Sequence, residues 1–86
     1  MMILNLDGAT INNRDDFYRV IKQELLLPDY FGNNLDALHD FIEEEPDRLC
    51  LTIHHYVRLM QNLTGSYLNS LFRLVMDCGG EIHILS

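Results

Sequence analysis

The chain has 86 residues, 48% of them apolar, which allows one modest core and no second lobe; a two-lobed enzyme cleft is disfavoured and function is expected on an outer face. Six Lys and Arg against thirteen Asp and Glu leave a net charge of −7, which argues against nucleic acid and anionic membranes as direct partners and in favour of a basic one. Cys50 and Cys78 form no CxxC pair, so they read as reduced, incidental thiols rather than a disulfide framework or a metal site.

The chain opens with a short apolar run over residues 2–6 that stops at the turn pair Asp7-Gly8. It lacks a basic flank and is followed at once by an acid, so it reads as a buried strand rather than a signal peptide. No stretch approaches membrane-spanning length, and a soluble cytoplasmic protein is expected. Asn13 is placed to cap a helix over roughly residues 14–26, with Phe17, Val20, Ile21 and Leu25 on one face and Pro28 as its stop. Asp29 to Gly32 make a loop, and Asn34 can cap a second helix over about residues 35–44, ended by Pro46. Residues 49–53 form the second strand. A weakly patterned helix follows at roughly 56–63, and Thr64-Gly65-Ser66 breaks it before a clear helix carrying Leu68, Leu71, Phe72 and Val75 at helical spacing. Gly79 supplies a stop. Residues 81–85 close the chain as a third strand. The order β, α, α, β, α, α, β implies one α/β domain over residues 1–86, with a three-stranded parallel sheet packed by about four helices.

The second helix carries an unusual charge pattern. At about 100° per residue, Asp36, Asp40, Glu43 and Glu44 fall within roughly a third of a turn, while Leu35, Leu38, Phe41 and Ile42 fall opposite. Asp36 gains from the helix dipole, but each like-charge pair one turn apart costs ~0.2–0.5 kcal/mol. No Lys or Arg lies between Lys22 and Arg48 to offset this. Geometry leaves two readings open, a solvated face of an acidic protein or a binding surface for something positive. Tyr30 and Phe31, beside Pro28, are open in the same way between partner anchors and core packing. Gly32 permits an unusual backbone angle or a close approach. Asn34 is first of all a cap.

Chemistry of other kinds is weakly signalled. His54 and His55 are neighbours, pointing to different sides of either a strand or a helix, and make a poor chelating pair; His83 sits within the third strand. No HExxH, nucleophile elbow, Gly-rich phosphate loop or paired-cysteine motif is present. Neither catalysis, a cofactor nor a metal is expected.

The string LPDYFGNNLDALHD, residues 27–40, closely resembles the signature segment of the barstar family, intracellular inhibitors of barnase-type ribonucleases. Looser similarity covers nearly all of the chain, including KQELLLP near the end of the first helix and GGEIHILS at the close. The resemblance implies a three-stranded parallel sheet with packed helices, and a second helix that enters the active-site groove of a basic, secreted-type ribonuclease. There the carboxylates stand in for RNA phosphates. Tyr30, Gly32, Asn34, Asp36 and Asp40 match the family's interface segment, and Asp40 stands at its most important inhibitory aspartate. Phe31 fills the aromatic position of that pattern, and Glu43 and Glu44 follow the segment. His39 replaces the tryptophan that the family example carries beside that aspartate. On the last helix Leu74 and Cys78 occupy the places of two interface glutamates, with Asp77 the nearest acid. The expected protein is a monomer when free, with no cofactor. The alternative partner is a non-ribonuclease toxin or another basic protein, for which this chain would be an immunity or regulatory binding protein.

Overall fold

Residues 2–86 are described by a computed structural model. Strand β1 (Met2–Asp7) leads through helices α1 (Arg14–Leu25) and α2 (Leu35–Glu44) to strand β2 (Leu49–His54). Helices α3 (Tyr56–Asn62) and α4 (Gly65–Asp77) then lead to strand β3 (Glu81–Ile84). The three strands are all parallel in the order β1-β2-β3, so both crossovers are built from a pair of helices. Leu4 pairs with Leu51 and Leu51 with Ile82, a register that keeps the apolar side chains of successive strands in line.

Alternation along the strands explains which face is covered. Leu4, Leu6, Leu49, Leu51 and Ile53 are buried, whereas Ile3, Asn5, Cys50, Thr52, Glu81 and His83 on the other face are exposed or half-buried. The covered face meets Phe17 and Ile21 of α1, Leu38 and Ile42 of α2, Leu59 of α3, and Leu68, Leu71 and Val75 of α4 in one core. Each such side chain contributes ~1.5–3 kcal/mol through its removal from water.

Local chemistry sets the boundaries. Asn13 caps α1 by accepting the Asp16 backbone N–H at 2.9 Å. The helix ends at Leu25, one residue before the expected stop, because Leu26 turns left-handed at φ 54° and Leu27 donates its N–H back to the Lys22 carbonyl. Thr64, Gly65 and Ser66 do not all interrupt the chain. Thr64 caps α4 by accepting the Tyr67 N–H, so Gly65 and Ser66 already lie in its first turn. Helix α4 closes on Gly79 at φ 76°, with the Gly80 N–H donated to the Val75 carbonyl at 2.9 Å. β2 runs one residue past expectation, and α3 and β3 each stop one short, at Asn62 and Ile84. Among the described residues no helix is long and apolar enough to cross a membrane.

Candidate functional site

The site is built on the loop before α2 and on the outer face of that helix. Asn34 is extended, at φ −151° and ψ 163°, and its Oδ1 accepts the Ala37 N–H at 2.7 Å. The preceding loop is held by two more backbone bonds, Phe31 N–H to the Pro28 carbonyl and Asn34 N–H to the Gly32 carbonyl. Gly32 has no positive φ, so an unusual backbone angle is not its role. A Cβ there would stand 3.2 Å from the Asn34 amide nitrogen and 3.6 Å from the Ala37 Cβ. Gly32 thus leaves room for the capping side chain.

Helix α2 is divided as its period requires. Leu38 and Ile42 are buried, Leu35 and Phe41 pack against the core, and Asp36, Asp40, Glu43 and Glu44 are exposed. Asp36 is the acid of the first turn, and no basic residue occupies the last turn. His39 Nε2 lies 3.4 Å from Glu43 Oε1, a one-turn contact that sets the ring along the acidic edge.

Two shallow grooves flank the stripe. On one side Asp40 and Glu44 share a groove with Pro28, Tyr30, Phe31 and Gly32. Tyr30 is 90% exposed there, whereas Phe31 is half-buried against the core. On the other side Asp36 and His39 line a groove with Arg73, Leu74 and Asp77 of α4. Near the cap, Asn34 and Asp36 border a hollow with Arg14 and Tyr67, and the Arg14 guanidinium lies 4.4 Å from the Tyr67 ring centre. Eight of the nine residues singled out from the sequence line these grooves and this hollow, and Glu43 joins them through His39.

The far wall of the α4 groove differs from what the resemblance implies. Leu74 is only 7% exposed and belongs to the core, so it reaches the groove with little more than an edge of its side chain. Cys78 is half-buried, and its thiol is pushed up by burial, with the Glu43 and Asp77 carboxylates adding in the same direction. The charged groups of α4 lining this groove are Arg73 and Asp77. Arg73 was not legible as part of the site. Its place beside Asp36 depends on how α2 and α4 pack, and no local motif signals it.

Away from α2, Asp7 and the left-handed His55 (φ 54°) meet at the ends of the strands, Nδ1 to Oδ1 at 2.8 Å. The Asp7 carboxyl is held below its ordinary value, mainly by the Ala9 backbone N–H at 2.9 Å and then by His55. Among the described residues two groups of metal-capable donors are also present, His39 with Asp40 and Glu43 on α2, and Cys50 with Glu81 and His83 on the open sheet face.

Comparison with known proteins bears on the same segment. The model of the family described as Barstar (barnase inhibitor) matches residues 1–82. The chain is also 26% identical over 77 residues to the Bacillus subtilis (strain 168) protein named "Putative ribonuclease inhibitor YrdF", an overlap of 90% of this chain and 85% of that protein.

Proposed function

The chain belongs to the barstar (barnase inhibitor) family, and from that premise we propose that it is a cytoplasmic protein inhibitor that binds a basic ribonuclease and occludes its active site. The observation that carries this reading is the exposed carboxylate stripe of α2, a helix anchored by its apolar face, beside the exposed Tyr30 of the loop that precedes it. A ribonuclease must hold a chain of phosphates through Arg, Lys and His, and a rigid row of carboxylates offers those cations the same charge-assisted hydrogen bonds without a bond to cleave. Asp36 and Asp40 are one helical turn apart, about 6 Å along the axis, so they can engage neighbouring phosphate positions. Asp40 faces the Tyr30 groove and Asp36 the α4 groove, which spreads the charge across the width of an enzyme cleft.

The supporting residues fit that role. Tyr30 offers a large amphipathic surface at low entropic cost and acts as an anchor beside Asp40. Asn34 and Gly32 fix the loop against the helix start. Glu43, Glu44 and His39 extend the edge toward the helix end, and Phe31 ties the loop to the core. The net charge of −7 adds long-range attraction to a cationic enzyme, which speeds encounter and weakens as salt is added.

Titration of RNA cleavage tests the proposal. With a panel of basic ribonucleases that includes any encoded beside this chain, activity is expected to fall linearly to an end point near one inhibitor per enzyme. Full activity of the whole panel at excess inhibitor would overturn it.

A further inference from the structure

The pairing of β2 with β3 brings three different donor atoms to one spot on the open sheet face. Cys50 is the partner of Glu81, and Thr52 is the partner of His83. Registered neighbours in a sheet point to the same side, as do residues two apart along a strand, so Cys50, Glu81 and His83 share that face. The thiol sulfur, a carboxylate oxygen and a ring nitrogen all lie within 4.8 Å of one another, and His83 Nε2 is 3.2 Å from Glu81 Oε2.

These separations suit a particular kind of ion. Ligands held 2.0–2.3 Å from a tetrahedral zinc stand about 3.4–3.6 Å from each other, so the His–Glu edge is already near that length and the sulfur has at most on the order of 1 Å to close. We propose that Cys50, Glu81 and His83 form a zinc-binding site with water in the fourth position. The donor set favours a borderline ion. A thiolate and an imidazole are poor partners for calcium or magnesium, whereas zinc takes sulfur, nitrogen and carboxylate oxygen together. On binding, the thiol gives its proton to solvent and its sulfur lone pair to the metal. Ile3 is the β1 partner of Cys50 and is 53% exposed on the same face, which gives the sulfur an apolar neighbour on the side away from Glu81.

The consequence is a staple. β3 is a four-residue edge strand whose residues are mostly exposed, and the ion would clamp Glu81 and His83 of that strand to Cys50 of the central one. The second donor group, His39 with Asp40 and Glu43, offers no sulfur and comes from a single exposed helix face that already belongs to the acidic stripe. The two groups share no residue, so the proposed site draws on none of the side chains of the acidic stripe.

Metal titration of the reduced, metal-free full chain decides the matter. Cobalt(II) is expected to bind one to one and give the charge-transfer absorption of a thiolate ligand, and zinc is expected to raise the melting temperature. Both effects should disappear in Cys50→Ser and in His83→Asn, weaken in the exposed variant Glu81→Gln, and persist in Cys78→Ser. Absence of binding would overturn the site. So would binding that lacks the thiolate absorption and is abolished by His39→Asn, since the ion would then sit on the acidic helix.

Discussion

Asn34 and Ala37 are joined by a 2.7 Å hydrogen bond from the Ala37 backbone N–H to the Asn34 side-chain oxygen, so the residue that ends the loop also starts helix α2. Asn34→Ala leaves that N–H without its partner and is expected to cost about 1 kcal/mol, roughly 4–8 °C in melting temperature for a domain of this size. Asn34→Asp should recover most of it. A thermal melt in which Asn34→Ala matches the parent would show that the bond is energetically idle.

Asp40 separates a solvated face from a phosphate mimic. Removing it relieves repulsion from Asp36 and Glu44, so Asp40→Ala should leave stability level or raise it by a few tenths of a kcal/mol. Affinity for the target ribonuclease should nonetheless fall by ~30-fold or more, because the enzyme's cations are left desolvated and unpaired. Asp36→Ala should weaken binding too, with a small loss of stability from the first turn of the helix. Calorimetry and inhibition on the same two variants check both halves, and an Asp40→Ala protein that inhibits at full strength would return the stripe to an ordinary solvated face.

Tyr30 and Phe31 should part in the same way. Tyr30 is almost fully exposed, so Tyr30→Ala is expected to keep the melting temperature while costing roughly tenfold or more in affinity. Phe31 packs against the core, and Phe31→Ala is expected to destabilise the fold by about 1–3 kcal/mol. Equal effects of the two on stability would contradict the exposure of Tyr30.

Leu74→Glu tests the position that the family resemblance treats as interfacial. Because Leu74 is in the core, the new carboxylate would be desolvated without a partner, and the variant is expected to lose several kcal/mol of stability rather than gain affinity. Cys78→Glu adds a third acid beside Glu43 and Asp77 and is expected to cost a few tenths of a kcal/mol of stability through their repulsion. A folded double variant that inhibits barnase more tightly would show that α4 meets the partner through these positions after all.

Asp7 gives a pH signature. Its folded value lies below its unfolded one, chiefly through the Ala9 N–H and then His55, so its contribution is fully present above the ordinary aspartate value of about 4 and is lost as pH falls through the lowered one. Asp7→Asn should therefore be less stable than the parent at neutral pH, with the difference closing under acid. A gap that stays constant throughout acid titration would rule out the ionised carboxylate as its source.

The order of elements, the caps at Asn13 and Asn34, the stop at Gly79 and the acidic and apolar faces of α2 were all legible in the sequence. Each depends on side chains within about four residues of one another, where helical period and capping chemistry act before any tertiary contact exists. The small misses at Leu26 and Thr64 lie at helix ends, where one residue more or less in the last or first turn is set by how the neighbouring element docks. The resemblance in residues 27–40 singled out the candidate segment, but it could not separate Tyr30 from Phe31, which are neighbours in the chain and differ in what covers them. Nor could it show that Leu74 is inside, that Arg73 stands across the groove from α2, or that Cys50 meets Glu81 and His83. Those relations were decided by tertiary structure alone, because burial and strand register are set by which distant segments share the core, and spacing along the chain carries no record of that.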